Sequence, residues 1–150
     1  MFENSFEKEF NSLIVDTFHN ILKTELKMIN RITKSGLSMR EVHLLEMIAN
    51  DDKNCTTIST IAKSFDITLA SVTVMVNKLE QSGFLVKNKS ETDGRRIILQ
   101  LTEKGKTINE EHENFHKNMI SKISKNLSKK EKSFLAKGVS TLNEMFKKEF

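Results

Sequence analysis

A short segment, residues 68–81, combines an apolar face with a face of small polar and methyl-bearing side chains. The apolar positions are spaced three and four residues apart, as on the inner face of a helix, and are Leu69, Val72, Val76 and Leu79. The opposite face carries Ala70, Ser71, Thr73, Val74, Asn77 and Lys78, and Thr68 stands with Ser71 at the helix start. Methyl groups suit thymine, an asparagine amide suits adenine, and the N–H groups of a helix start suit a phosphate. The same residue types are equally ordinary on a solvated helix surface.

A second group of charged residues lies between two short apolar runs. Its members are Lys87, Lys89, Asp93, Arg95 and Arg96. Asp93 can hold the guanidinium of Arg95 in one orientation, so that this arginine projects into a minor groove with little loss of entropy. The remaining basic residues can contact phosphates. Taken alone, the pair is more typical of a surface ion pair worth about 0 to 1 kcal/mol.

A series of helices and one hairpin is predicted to position these residues. The apolar spacing predicts helices over 5–33, 38–49, 57–64 and 69–81, strands around 84–86 and 97–101, and helices that begin near 102 and 128. A turn of a few residues joins the third and fourth helices, which is the spacing of a helix-turn-helix. The expected fold class is mainly α, a winged helix-turn-helix with long N- and C-terminal dimerisation helices. Because the charged hairpin follows a helix-turn-helix, its position favours a role in DNA contact over that of a plain surface turn.

Local signals mark the predicted helix ends. Ser38 and Glu41 have the spacing of a capping box at the start of the second helix, and Thr68 can cap the fourth. Gly36 and Gly83 follow the first and fourth helices, where a left-handed residue often ends a helix. These signals predict where the second helix begins and where the first and fourth helices end.

The chain is expected to divide into three parts. Residues 1–37 form an N-terminal dimerisation helix, 38–101 the winged helix-turn-helix that binds DNA, and 102–150 the C-terminal dimerisation helices. The long terminal helices carry broad, phenylalanine-rich apolar faces that so small a module cannot cover. A homodimer with intertwined ends would bury them and place two recognition helices in successive major grooves, about 34 to 36 Å apart.

Composition narrows the class of protein. The 150 residues are 37% hydrophobic and 29% charged, with no Pro, Trp or Tyr and only five Gly, which favours helices over a turn-rich sheet fold. The net charge of +4 is compatible with binding a polyanion without being diagnostic of it. The acidic N-terminal segment and the lack of a long apolar run predict a cytoplasmic protein without a secretion signal or membrane span.

Other candidate sites are weaker. His112 and His116 lie four residues apart on one predicted helix face, but no acidic residue or cysteine obviously converges on them, so packing is expected and no metal site. Cys55 lies near a helix start, where oxidant sensing is one interpretation and an inert thiol the commoner one. No phosphate-binding glycine loop, nucleophile elbow or carboxylate pair is present, so neither an enzyme nor a cofactor is expected.

Three motifs at these spacings resemble the MarR family of transcriptional regulators. They are Leu-Glu-Gln-Ser-Gly-Phe at 79–84, Asp-Gly-Arg-Arg at 93–96 and Leu-Gln-Leu-Thr-Glu-Lys-Gly at 99–105. The resemblance covers nearly the whole chain and implies an intertwined dimer that binds a pseudo-palindromic site on double-stranded DNA. Two positions depart from the family pattern: Lys87 stands where arginine is common, and Gly94 where an arginine of the wing is common. Arg95 is then the expected minor-groove residue.

Shorter motifs resemble the branch of that family which represses fatty-acid synthesis. They lie at 68–73 with Asn77, at 112–117, at 127–128 and at 137–138. This resemblance implies that a long-chain acyl group on acyl carrier protein acts as corepressor. An apolar slot for such a chain has six candidate lining residues, although apolar residues at helical spacing more often form plain core: Phe18, Leu22, Val42, Leu45, Phe115 and Met119.

Three hypotheses of function remain open at this point. The first is a repressor of lipid synthesis genes with acylated carrier protein as corepressor. The second is a MarR-type repressor that a small aromatic or amphipathic molecule releases from DNA. The third is a scaffold whose helices bind a partner protein without DNA.

Overall fold

The computed structural model describes residues 4–33, 36–51, 55–90 and 93–149. Parts of the predicted polar turn (52–54) and of the predicted wing tip (91–92) therefore lie outside the described residues. The elements in chain order are α1 (Ser5–Thr33), α2 (Met39–Ala49), α3 (Ile58–Phe65), α4 (Leu69–Gln81), β1 (Leu85–Lys89), β2 (Ile97–Leu101), α5 (Glu103–Lys125) and α6 (Lys129–Glu149). Two compact units result, Met1–Glu113 and Asn114–Phe150. The mainly helical, winged fold class is confirmed.

The predicted helix ends are confirmed where a local signal determines them. Ser38 Oγ accepts from the backbone N–H of Glu41, whose carboxylate accepts from the backbone N–H of Ser38 at 2.7 Å. Thr68 caps α4, and Gly36 and Gly83 have positive φ angles of 62° and 76°. The hydrogen bonds of Ser38, Glu41 and Thr68 satisfy backbone groups that a helix start leaves without a partner.

Two local features at the ends of α3 were not predicted. Thr57 and Thr60 form a capping box at the start of α3. Asp66, which follows α3, adopts a left-handed conformation with φ 49° and ψ 50°. Aspartate tolerates this region better than most residues, so the chain can turn sharply from α3 into α4.

The core of the first unit joins the helix-turn-helix to α1, α2 and the start of α5. Its buried apolar residues are Ile29, Leu37, Val42, Leu44, Leu45, Ile48, Ile61, Ala62, Val72, Val76, Leu79, Phe84, Leu85, Leu99 and Ile108. The inward assignment of Leu69 is wrong: 57% of this residue is exposed. Leu69 is the first residue of α4, and the buried face of this helix begins only at Val72.

The predicted hairpin is confirmed as two antiparallel strands. Leu85 pairs with Leu101 and Lys89 with Ile97, so the strands are in register along their whole length. The backbone N–H of Leu99 also donates to the carbonyl of Thr56 at 2.9 Å, which attaches the hairpin to the segment before α3. The wing is therefore held from both sides, by its own pairing and by the helix-turn-helix.

The second unit contains the last part of α5 and all of α6. Ser128 and Glu131 form the predicted capping contacts at its helix start, with the Glu131 backbone N–H donating to Ser128 Oγ at 3.3 Å. Among the described residues, no single helix is long and apolar enough to cross a membrane. The bent pair α3 and α4, at 119°, meets the length and composition limits only when both helices are taken together.

Candidate nucleic-acid interface

The inner residues of α4 determine which side chains the helix exposes. Val72, Val76 and Leu79 are fully buried, and they anchor one face of α4 in the core. The opposite positions of α4 are exposed at Ala70, Ser71, Asn77 and Lys78, and Thr73 is half-buried. Val74 is 68% exposed, as predicted, and the unpredicted exposure of Leu69 adds a second apolar group to this surface. Such groups suit the methyl of thymine in a major groove.

Two hydroxyl groups cluster at the N-terminus of α4. Thr68 Oγ1 accepts from the backbone N–H of Ser71 at 3.1 Å and lies 2.9 Å from Ser71 Oγ. Both residues are exposed, and the positive end of the helix dipole lies beside them. This geometry suits a DNA phosphate, as the sequence predicts.

Lys87 of the wing is held by α4. Its Nζ donates to Asn77 Oδ1 and to Glu80 Oε2, both at 2.6 Å. The sequence predicts separate DNA contacts for Asn77 and Lys87, but the structure brings the two side chains together. Contact with a phosphate or a base must therefore compete with this bond, or use the atoms that it leaves available.

Lys78 makes a bond of the same kind to the neighbouring helix. Its Nζ lies 2.8 Å from Glu41 Oε1, and Glu41 is buried while half of the Lys78 side chain is exposed. Burial raises the pKa of the Glu41 carboxyl, but hydrogen bonds from Lys78 and Ser38 outweigh it, so the pKa lies below its usual value. The ion pair links α2 to the outer face of α4.

The expected side-chain pair in the wing is absent. Asp93 Oδ1 accepts from the backbone N–H of Arg95 at 3.1 Å, and in the described part of the wing it makes no ion pair with the Arg95 guanidinium. A short aspartate two residues before an N–H closes a local turn more easily than it reaches a long flexible side chain. Lys89, Asp93, Arg95 and Arg96 are all exposed. The wing therefore presents its cations on a backbone that Asp93 fixes.

Replacing Glu80 with glutamine tests whether Lys87 is held back from DNA. We expect Glu80→Gln to raise affinity for a specific duplex about two- to tenfold, because the change weakens the hold on Lys87 and removes a carboxylate that repels phosphates. Fluorescence anisotropy at several salt concentrations measures the effect, with a steeper salt dependence expected. Glu144→Gln makes the same change of charge on α6 and should alter affinity far less. Equal affinities for wild type and Glu80→Gln would contradict the interpretation.

The six predicted lining residues of an apolar slot are found in different environments. Val42 and Leu45 belong to the buried core of the first unit, whereas Phe18 and Leu22 of α1 are 63% and 39% exposed. Phe115 and Met119 lie in the second unit and are half-buried. Their role in binding a ligand stays a prediction.

The expectation that no acidic residue converges on His112 is wrong. Glu25 Oε1 of α1 lies 3.7 Å from His112 Nε2, and Glu46 Oε2 of α2 lies 3.8 Å from His112 Nδ1. The ring of His43, also on α2, is 5.5 Å from that of His112 between centroids. Sequence reasoning missed this cluster because its members belong to three separate helices. The sequence does contain one signal for this cluster, because an acidic or histidine residue interrupts the apolar positions of each of the three helices.

Comparisons with known proteins agree with this geometry. The model of the MarR family matches residues 37–97. The solved structure of Streptococcus pneumoniae FabT in complex with DNA is similar with a TM-score of 0.86 and 30% identity, over 94% of this chain and 97% of the FabT chain. The chain belongs to the MarR family. Staphylococcus aureus MepR shares the fold of this MarR-family protein, with a TM-score of 0.70 and 16% identity over 97% of this chain and 99% of MepR.

Curated sequence relatives are also regulators of the helix-turn-helix type. The uncharacterized regulator YfiV of Bacillus subtilis (strain 168) is 28% identical over 106 residues, which cover 71% of this chain and 65% of YfiV. The regulator MhqR of the same strain is 35% identical over 78 residues, or 52% of each chain. The chain thus spans less than two thirds of the length of either relative. As a MarR-family member, the protein is a DNA-binding transcriptional regulator and not an enzyme.

Proposed function

We propose that this MarR-family protein represses fatty-acid synthesis genes and that a long-chain acyl group on acyl carrier protein acts as its corepressor. The observation that carries the proposal is the similarity to FabT, which extends over 94% of this chain. The second support is the set of short motifs that resemble the fatty-acid branch of the family, among them residues 68–73 and 112–117.

The proposed active form is a homodimer on a pseudo-palindromic operator. The first unit exposes large apolar side chains on α1, with Phe6 69% and Phe18 63% accessible. The second unit exposes the same type on α6, with Phe134 65% and Phe146 62% accessible. Such apolar faces mark an interaction surface, because isolated chains rarely leave so many phenylalanines in water. The division into dimerisation helices (1–37 and 102–150) and a DNA-binding module (38–101) is part of this proposal.

The DNA contacts of this dimer are also a proposal. The N-terminus of α4 with Thr68 and Ser71 would face a phosphate, and the outer face of α4 would enter the major groove. Arg95 would enter the neighbouring minor groove, and Lys89 and Arg96 would contact phosphates. The exposure of these side chains supports the assignment.

A binding titration tests the corepressor. The probe is DNA upstream of the protein's own gene and of fatty-acid synthesis genes, and affinity is measured by anisotropy with hexadecanoyl-, hexanoyl- or unacylated acyl carrier protein. We expect only the long-chain form to tighten binding, by about tenfold, a typical coupling between two sites. If DNA affinity were the same with all three forms of acyl carrier protein, the result would contradict the proposed lipid function but not the DNA-binding function. Release by a small aromatic or amphipathic molecule in the same assay would instead support the second hypothesis.

A further inference from the structure

Three side chains with metal-binding atoms meet inside the first unit. Glu25 of α1, His43 of α2 and His112 of α5 each offer one ligand atom, and these three atoms lie within 4.8 Å of one another. Only 3% of Glu25 and 1% of His112 are exposed, and His43 is half-buried. The regulator function described above assigns no role to these buried polar groups.

The distances in the cluster are close to those of a zinc site. Glu25 Oε1 and His112 Nε2 are 3.7 Å apart. Zinc bonds of about 2.0 to 2.1 Å in tetrahedral geometry place neighbouring ligand atoms about 3.4 Å apart. The Glu25–His112 pair thus needs a shift of a few tenths of an ångström. The His43 ligand atom lies within 4.8 Å of the other two, so this ring must move further than the Glu25–His112 pair to complete the site.

A second carboxylate is placed to orient His112. Glu46 Oε2 lies 3.8 Å from His112 Nδ1, the ring nitrogen that is not the one nearest Glu25, and must come closer to form a hydrogen bond with it. Ligand histidines in proteins usually direct their second ring nitrogen towards a carboxylate or carbonyl, which fixes the tautomer. A neutral His112 that carried its proton on Nδ1, towards Glu46, would leave the lone pair of Nε2 for a metal ion on the side of Glu25.

We propose that Glu25, His43 and His112 bind one zinc ion, with water as the fourth ligand and Glu46 as an outer partner. Two imidazoles and one carboxylate are a donor set that suits zinc, whereas magnesium and calcium prefer oxygen ligands alone. A cation there also offsets the cost of burying the carboxylate of Glu25. The ligands come from α1, α2 and α5, so the ion would tie these three helices together. This site goes beyond the proposed fatty-acid function and does not depend on it.

Zinc titration of the full-length protein tests the site directly. Metal-free wild-type protein competes with a chromophoric chelator for Zn²⁺, and we expect one tightly bound ion per chain. The same protein loaded with Co²⁺ should give the intense visible absorption of a tetrahedral ion, which needs no variant. A weak, octahedral type of cobalt spectrum, or no zinc retained against the chelator, would overturn the proposal.

Matched variants locate the ion. We expect His112→Ala, His43→Ala and the nearly isosteric Glu25→Gln each to weaken zinc binding by at least 100-fold, and Glu46→Gln by about tenfold, the usual range for an outer partner. His19→Ala removes an exposed histidine of α1 and should bind zinc as wild type does. Circular dichroism confirms that each variant is folded. Equal zinc affinity in Glu25→Gln, His43→Ala and wild type would place the ion elsewhere and contradict the assignment.

Discussion

Replacement of Arg95 with alanine is expected to reduce operator affinity by about 5- to 150-fold, which corresponds to a loss of about 1 to 3 kcal/mol. Arg95 is exposed at the tip of the wing, and its backbone N–H is fixed by Asp93 Oδ1 at 3.1 Å. A fixed backbone carries the guanidinium to one place on the duplex, so a narrow minor groove can attract it strongly. Fluorescence anisotropy with a specific duplex at constant salt measures the loss.

Two further variants separate the role of Arg95 from that of charge alone. Arg96→Ala should weaken binding to specific and unrelated DNA alike and flatten the slope of log affinity against log salt by about 0.9 for each phosphate that the variant no longer binds. Arg31→Ala removes an exposed arginine of α1 and should leave affinity almost unchanged. If Arg95→Ala combined with Asn77→Ala folds, dimerises and still binds DNA like wild type, the wing and α4 do not read DNA, and the scaffold hypothesis gains support.

Local chemistry explains why much of the helix-turn-helix could be predicted. Ser38, Glu41 and Thr68 contact backbone groups three residues away, so their spacing in the sequence is enough to predict the contact. The same holds for Gly83, whose positive φ ends the turn after α4. The start of α2 and the bounds of α4 follow from such signals together with the apolar spacing.

Contacts between elements could not be predicted in the same way. Lys87 belongs to β1 and its partners Asn77 and Glu80 to α4, so their meeting depends on how the hairpin packs against the helix. The sequence shows two candidate DNA-binding residues there, while the structure shows a bonded pair. Side-chain partners that are distant in sequence require the tertiary packing to be known.

The buried cluster around His112 shows the same limit more strongly. An isolated histidine in an apolar stripe indicates packing, and only the folded arrangement of α1, α2 and α5 brings Glu25 and His43 beside it. Leu69 shows the reverse case, because regular apolar spacing placed it inside although the core does not extend to the first residue of α4. Helical periodicity predicts a face but not how far along the helix that face is covered.

Substitution of Gly105 with alanine is expected to destabilise the protein by about 1 to 3 kcal/mol, the usual range for overpacking. A Cβ at this position would overlap the backbone carbonyl oxygen of Phe84 and lie 3.3 Å from a methyl of Leu101. The oxygen cannot easily move, because it accepts from the backbone N–H of Thr102 at 3.1 Å and Phe84 is fully buried. Thermal unfolding followed by circular dichroism should show a Tm lower by about 2 to 4 °C for each kcal/mol of stability removed.

Gly138→Ala is the matched control for this effect. It is also a glycine within a helix, but a Cβ there meets nothing within 4 Å, so alanine should leave stability unchanged or raise it by up to about 1 kcal/mol through helix propensity. Gly105 lies where α5 begins against the end of the wing, so its substitution should also lower DNA affinity without removing any group that contacts DNA. A Gly105→Ala protein that unfolds at the wild-type temperature would show that α5 is not packed closely against the backbone carbonyl of Phe84 at this position.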